Sequence, residues 1–192
     1  MKPHLHFPLA LAILATSAGV ALAASASDAS IFGKEPGKAK AYACYTRFYD
    51  KAHLAAYPKQ NTKDMILFVN SDFDPDLGRQ YQLLIGVHFR KHAKQFEAYG
   101  SCSLSDDGTG NLHCGIDCDG GAIGVSVKDA TSILVSIPEG ARTWDPETDD
   151  DPPANARFGA DDKLFRLDRA NLKDCLPVIG DETIKAEIAA MK

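Results

Sequence analysis

The sequence predicts a mainly β protein: an antiparallel meander of about eight strands that forms a barrel or a sandwich, followed by a short C-terminal helix. Apolar and polar residues alternate along several segments, which is the period of half-buried strands. The links between these segments are short, and short links favour antiparallel neighbours because parallel strands need long crossovers. Patterning along the strands does not distinguish a closed barrel from two packed sheets, so both remain predictions.

The first 23 residues have the pattern of a secretory signal peptide. Lys2 precedes an apolar run over residues 7–20, and the run is followed by Ala21-Leu22-Ala23. The run is shorter than the roughly 20 residues that a membrane-spanning helix needs. Cleavage after Ala23 or Ala26 would release a soluble chain. We therefore expect a periplasmic or secreted protein whose mature chain has no transmembrane segment.

Residues 24–40 are predicted to be a flexible leader. Ala, Ser, Gly, Lys and Pro dominate this stretch, and Ile31 and Phe32 are its only large apolar residues. The remaining residues, 41–192, form a single β-rich domain of ordinary size. We predict its strands at residues 42–48, 64–70, 80–90, 95–104, 111–118, 122–128, 131–138 and 163–168.

The first three strands differ in how clearly the sequence marks them. Residues 42–48 alternate, but the Ala-rich continuation to Ala56 leaves a helix as an alternative. The second strand contains Met65–Val69, a run that is apolar on both faces and suits a strand covered on both sides. The third strand is clearer, because its apolar residues recur at every second position: Tyr81, Leu83, Ile85, Val87 and Phe89.

The clearest alternation lies in the hairpin formed by residues 95–104 and 111–118. One face carries the apolar residues and three of the five cysteines: Phe96, Ala98, Gly100, Cys102, Leu104, Leu112, Cys114, Ile116 and Cys118. Two further strands follow, with a short turn at Asp129-Ala130. After the loop over residues 138–162 comes a last strand, and Asp181 can cap a helix that begins at Glu182.

The hairpin register predicts a disulfide. If Leu104 faces Leu112, then Cys102 faces Cys114. Directly opposed β-carbons lie roughly 4.5–5.5 Å apart, close to the roughly 3.5–4.5 Å that a bridge requires. Cys44 and Cys175 remain as partners that could join the two ends of the domain, which leaves Cys118 as a free thiol on the apolar face. An exported protein reaches a compartment that allows such bridges.

The His113 segment could carry chemistry in two ways. His113, Asp117 and Asp119 alternate with Cys114 and Cys118, so on a regular strand the two sets point in opposite directions and cannot share a zinc ion. A hydrolase could instead use His113 as a base and Asp117 as its orienting acid. We interpret His113, Asp117 and Asp119 as candidate ligand-binding residues on the outer face of the sheet.

The loop over residues 138–162 supplies two further candidates. Trp144 could contact a ligand at the mouth of a barrel, or it could anchor the loop to the core. Asp145, Glu147 and Asp149 form an oxygen-rich stretch that could bind calcium, although acidic loops are commonly just solvated.

Composition narrows the possible functions. The formal net charge of −5 argues against a nucleic-acid partner, which normally requires a basic surface. We predict an exported, non-enzymatic β domain without a cofactor, which binds a small molecule or makes contacts with an envelope component. The alternatives are a secreted hydrolase using His113 and Asp117, and an envelope structural or inhibitor-like protein. An open cavity, a polar cleft and a filled interior, respectively, would distinguish a binder, a hydrolase and a structural protein. The sequence does not predict an oligomeric state.

Overall fold

A computed structural model of the chain describes residues 25–105, 109–148 and 150–191. The predicted signal peptide, residues 1–23, lies outside the described residues. Eight antiparallel strands follow one another around a closed barrel, which confirms the predicted fold class and selects the barrel over the sandwich. The strands are β1 (Ala41–Phe48), β2 (Thr62–Asp74), β3 (Gly78–Phe89), β4 (Gln95–Leu104), β5 (Leu112–Ile116), β6 (Ala122–Asp129), β7 (Ser132–Ser136) and β8 (Leu164–Arg169).

Pairing between β1 and β8 closes the barrel. Tyr45 lies opposite Arg169, and Thr46 lies opposite Asp168. As the alternation in the sequence predicts, every second side chain along a strand points into the barrel. These inward side chains form one continuous core. None of the following interior residues is more than 2% exposed: Tyr45, Met65, Leu67, Leu83, Ile85, Leu112, Ile123, Val125, Val135, Phe165 and Leu167. The interior is therefore filled by side chains.

A short helix, α1 (Ser25–Phe32), covers one end of the barrel. The prediction of a flexible leader over residues 24–40 is wrong for this part of it. Ile31 and Phe32 are buried in the barrel core. Asp28, also buried, accepts a hydrogen bond of 2.8 Å from the Tyr81 hydroxyl. Two adjacent apolar residues and one well-paired carboxylate are enough to hold the segment in place.

The loop after β7 covers the opposite end. Ala156 is fully buried there, and the ring of Phe158 packs edge-on against Phe89 at 5.5 Å between centroids. The buried Asp162 carboxylate accepts hydrogen bonds from the backbone nitrogens of Asn61 at 2.8 Å and Thr62 at 3.1 Å. This carboxylate ties the loop to the start of β2. Both ends of the barrel are thus closed.

The C-terminal segment packs on the outside of the barrel. It consists of a 3₁₀ helix (Leu172–Val178) and the α-helix α3 (Glu182–Ala190). The remaining helix, the short α2 (Lys51–Ala56), follows β1. The predicted cap of α3 is present, since the Asp181 carboxylate accepts hydrogen bonds from Thr183 N at 2.7 Å and Ile184 N at 3.1 Å. Among the described residues, no helix is both long enough and apolar enough to cross a membrane.

Both predicted disulfides are present. Cys102 pairs with Cys114 inside the barrel, where the two residues are register partners on β4 and β5. Cys44, whose side chain points outward from β1, is bonded to Cys175 of the 3₁₀ helix. This second bridge joins residues 131 positions apart and fixes the C-terminal segment to the barrel wall.

Candidate functional site

The outer wall of the barrel has two contrasting halves. On β1–β3 the outward side chains form an apolar cluster with the C-terminal segment, and we call this the covered face: Cys44, Ile66, Phe68, Leu84 and Gly86. On β4–β7 one patch of outward residues is exposed or half-exposed, and we call this patch the open face: Ser101, Ser103, His113, Gly115, Ala122, Gly124, Ser126 and Ser136. Four other outward residues of these strands border the patch: Glu97, Tyr99, Lys128 and Leu134. The open face carries no Lys, Arg, Asp or Glu.

Trp144 attaches the loop after β7 to the outer edge of β4. Its backbone pairs with Glu97 in both directions, at N···O distances of 2.9 and 2.7 Å, so the loop extends the sheet beside the first half of β4. Its buried indole stacks on Tyr99 at 5.1 Å, and the Arg142 guanidinium carbon lies 5.4 Å from the indole centroid. These contacts are those of a loop anchor, one of the two roles that the sequence suggested.

The structure separates His113 from the two aspartates. His113 is exposed on β5, directly opposite Ser103 on β4. Asp117 and Asp119 lie beyond the end of β5 in a turn, and the backbone nitrogen of Asp117 donates to the Tyr99 carbonyl at 3.2 Å. Four residues of extended chain span about 13 Å. The imidazole and the Asp117 carboxylate therefore do not form the base and orienting acid that a hydrolase would need.

Cys118 is not on the apolar face, and the prediction that placed it there is wrong. The strand ends at Ile116, and the backbone of Cys118 and Asp119 takes the left-handed conformation, with φ of 54° and 56°. This turn ends the alternation, so the Cys118 thiol is free and exposed.

The proposed calcium ligands are already engaged with a cation of the chain. Lys94 Nζ lies 2.6 Å from a carboxylate oxygen of Asp145 and 2.6 Å from one of Glu147. The hydrogen bond from Lys94 lowers the pKa of Asp145, and the same contacts raise the pKa of Lys94. Asp149, the third candidate, lies outside the described residues. Within the described part of the chain, no three His, Cys, Asp or Glu residues are grouped so that they could hold a metal ion.

The open face contains a groove of about 430 Å³ between the outward residues of β5, β6 and β7. Its shape follows from the sequence, because small side chains leave the backbone exposed. A β-carbon built on Gly115 would have no heavy atom within 4 Å, and one built on Gly124 would meet only the Ser136 β-carbon, at 3.6 Å. His113 stands at the edge of this groove and is the only ionisable residue of the open face.

A second cleft of about 390 Å³ lies next to the open face, between β2, β3 and the beginning of α3. Its lining is mainly polar: Lys40, Tyr42, Asn70, Ser71, Asp72, Gln80, Gln82, Asp181, Thr183 and Ile184. The hydroxyl of Tyr42 donates to Glu187 at 2.6 Å, and its ring stacks on Phe68 at 5.8 Å. Burial and the neighbouring Glu187 raise the pKa of Tyr42, so this phenol stays protonated.

A third cavity, of about 530 Å³, lies where the turn after β5 meets the loop after β7. Arg142 lines this cavity, and its Nε and Nη2 donate to a carboxylate oxygen of Asp151 at 2.9 and 2.7 Å. Asp119 lines this cavity rather than the groove that contains His113. The structure therefore does not bring His113, Asp119 and Trp144 together in one site.

Reasoning from the sequence missed the open face as a surface. Its signal was present in the outward positions of the strands, where Ser101, Ser103, Gly115 and Gly124 replace the charged residues common on solvated sheets. A search of family models, curated proteins and solved structures finds no match for this chain. The geometry of the described residues is accordingly the basis for a functional interpretation.

Proposed function

We propose that this protein is an exported, non-enzymatic β-barrel domain that acts by binding a component of the cell envelope on its open face. The observation that carries the proposal is the contrast between a filled, closed interior and an uncovered patch of the outer surface that contains no Lys, Arg, Asp or Glu.

The filled interior supports an outer site over a ligand held inside the barrel. An eight-stranded barrel has an interior just wide enough for its own side chains or for one small ligand. Here large residues such as Tyr45, Phe165 and Met65 take that space. Displacing them would cost several kcal/mol of core packing. This feature favours the contact-making version of the function over the version that binds a small molecule in the lumen.

The composition of the open face supports a role in binding. Charged residues make up 24% of the chain, but none of the eight residues of the open face is Asp, Glu, Lys or Arg. Depletion of charge is the compositional signal that distinguishes the centre of an interface from ordinary surface. The separation of His113 from Asp117 supports a non-enzymatic role, and the two disulfides agree with an oxidising compartment.

In-cell photo-crosslinking tests the proposal. A photoreactive amino acid would replace Ser101 or Gly124 on the open face and, as the matched control, Ala186, which is exposed on α3. We expect discrete adducts from the two open-face positions and none from the control position. The additional change Gly115→Arg should abolish the adducts, because the new side chain fills the groove without a clash in the fold.

Two results would count against this function. Adducts of equal yield from all three positions would indicate nonspecific contact. Recovery of the chain from the cytoplasm with its first 23 residues intact, determined by fractionation and intact mass, would exclude export. Mature protein that begins after Ala23 or Ala26 would support it.

A further inference from the structure

We infer that the envelope component is a neutral, polyhydroxylated glycan, which would lie across the open face and into the cleft beside Tyr42. This inference rests on the proposed function and specifies its ligand class. It comes from the chemistry and continuity of the outward side chains on six consecutive strands.

The cleft and the groove belong to one surface. Register pairing connects their residues in a single row that crosses β1 to β6: Tyr42, Asn70, Gln82, Ser101, Gly115 and Ala122. Neighbouring strands lie about 4.8 Å apart, so this row spans roughly 24 Å around the barrel. Ser101 and Ser103 are outward residues of β4, the strand between the cleft and the groove, and their short side chains leave a shallow path between the two. The larger side chain of Tyr99 stands at one side of this path. An extended ligand could therefore occupy both at once.

The row offers hydrogen-bonding groups that match sugar hydroxyls. A carboxamide both donates and accepts, and so does a hydroxyl, which lets either group pair with a ligand whose own groups do both. The side chains of Asn70 and Gln82 make no hydrogen bond to any described residue. Both amides thus remain available to a ligand, as do the exposed hydroxyls of Ser101 and Ser103.

Tyr42 supplies an oriented aromatic ring at one end of the row. Its stacking on Phe68 and its hydrogen bond to Glu187 hold the ring at the wall of the cleft. A ring presents a flat apolar surface beside polar groups, and a pyranose, with its apolar C–H faces and peripheral hydroxyls, has the complementary pattern.

The charges around the cleft favour a neutral ligand over an anionic one. Lys40, the only cation among the described residues that line the cleft, lies 3.7 Å from Glu187. The Asp181 carboxylate caps α3, and one carboxylate oxygen of Asp72 accepts a hydrogen bond from the nitrogen of Phe73 at 2.8 Å. An anionic polymer would thus meet acidic side chains and a cation that already has a partner.

The open face also differs from a typical protein-binding surface. Protein interfaces concentrate their binding energy in Trp, Tyr, Arg and Met anchors. The eight residues of the open face are Ser, Gly, Ala and His, and the aromatic residue at its border, Tyr99, already stacks on Trp144. A glycan, which binds through many hydrogen bonds along an open surface, suits this composition better than a protein partner does.

An NMR titration of the mature, disulfide-bonded chain tests the glycan. The probes are cellohexaose, maltohexaose and chitohexaose, each neutral and linear. Each is titrated to about 10 mM, so that binding with a Kd in the millimolar range is detected. We expect at least one probe to shift the backbone amides of Gln82, Ser101, Gly115 and Gly124, while that of Ala186 does not move. Gln82→Ala and Gly115→Arg should each weaken binding at least about fivefold, the loss expected for one or two hydrogen bonds. Ala186→Arg should leave binding unchanged.

The outcomes separate this inference from the proposed function. If none of the three probes shifts an amide resonance, or if the shifts are confined to residues outside the row, the inference that the ligand is a neutral glycan is wrong. If crosslinked adducts nevertheless form in cells at position 124, the proposed envelope contact is supported. Its partner is then of another chemical class, and a protein is the first candidate. Binding of a hexasaccharide together with equal crosslinking at all positions would support the glycan and overturn the specific envelope contact. A native-like spectrum of each variant excludes unfolding as the cause of lost binding.

Discussion

The covered and open faces of the barrel are built from the same kind of strand, yet only one of them is stabilised by a second layer. The surroundings of Gly86 on β3 and of Gly115 on β5 show this difference. A β-carbon on Gly86 would overlap Val178 and would lie 2.7 Å from Gln95 Cδ, whereas one on Gly115 would meet open space. Glycine at the first position admits the C-terminal segment, and glycine at the second leaves the surface flat.

This contrast shows that an outward glycine on a sheet can either stabilise or weaken the fold, depending on what packs against it. Where another element approaches, the missing side chain permits close packing and contributes to stability. Where none approaches, the glycine weakens its own strand and gives no packing in return. On β5 and β6, Gly115 lies opposite Ala122 and Gly124 lies two residues further along. In the proposed function, the bound envelope component would supply the packing that these positions lack.

The two disulfides provide the strongest test of the comparison. Cys44–Cys175 closes a separation of 131 residues and holds the covered face together, whereas Cys102–Cys114 closes only 12 residues within one hairpin. The chain-entropy relation gives about 5 kcal/mol for the long loop and about 3 kcal/mol for the short one. Replacing both cysteines of a pair by alanine should thus lower the free energy of unfolding more for Cys44/Cys175 than for Cys102/Cys114.

Urea denaturation at neutral pH without reductant measures both losses. The short-loop variant is the matched control, because each pair loses the same number of sulfur atoms from largely buried positions. Equal losses, or a larger loss for Cys102/Cys114, would show that the C-terminal segment adds little to the stability of the barrel.

The glycines give the next largest effect. Gly86→Ala should lower the free energy of unfolding by about 1–3 kcal/mol, because the new methyl group overpacks against Val178. Gly115→Ala and Gly124→Ala should change it by less than about 0.5 kcal/mol, since neither methyl group meets a close neighbour. Thermal and urea unfolding of the three variants would measure this difference. A destabilised Gly115 variant would mean that the open face is packed against part of the same chain.

Much of the barrel could be predicted from local pattern. The period of two marks most of the strands, and the register of one hairpin is enough to pair Cys102 with Cys114. The second strand is marked instead by the apolar run Met65–Val69. Closure could not be predicted in this way, because the contact of β1 with β8 rests on two residue pairs more than 120 positions apart. Alternation within a strand says nothing about which distant strand will lie beside it.

Two predictions are wrong, for different physical reasons. The predicted alternation extends through Asp117 to Cys118, although the segment Asp-Cys-Asp-Gly-Gly has the composition of a turn. The prediction of a flexible leader rests on average composition, whereas Ile31, Phe32 and Asp28 find partners in the distant barrel. The open face could not be located in advance, because which outward residues stay uncovered depends on where the C-terminal segment packs.

The smallest effect on stability is predicted for aspartates in two turns, one that joins β6 to β7 on the open face and one that joins β2 to β3 on the covered face. At the end of β6, Asp129 accepts hydrogen bonds from the Ser132 hydroxyl at 2.6 Å and from the nitrogen and hydroxyl of Thr131 at 2.9 Å each, which lowers its pKa to about 2. At the end of β2, Asp74 accepts only from the nitrogens of Asp76 and Leu77, and these bonds also lower its pKa.

Because folding lowers both pKa values, each carboxylate contributes stability above its ordinary pKa of 3.8 and loses that contribution as the pH falls, for Asp129 through about 2. Asp129→Ala should lower Tm at pH 7 by no more than about 4 °C, and by more than Asp74→Ala does, since three donors lose their acceptor instead of two. Melting curves at pH 7, 4 and 2 should show the Asp129→Ala deficit shrinking in the acidic range. Asp129→Asn, which keeps an acceptor but cannot ionise, should match the wild type most closely at pH 2. A deficit of the same size at all three pH values would mean that the charge of Asp129 does not stabilise the turn, and that the hairpin of the open face depends on its side-chain shape alone.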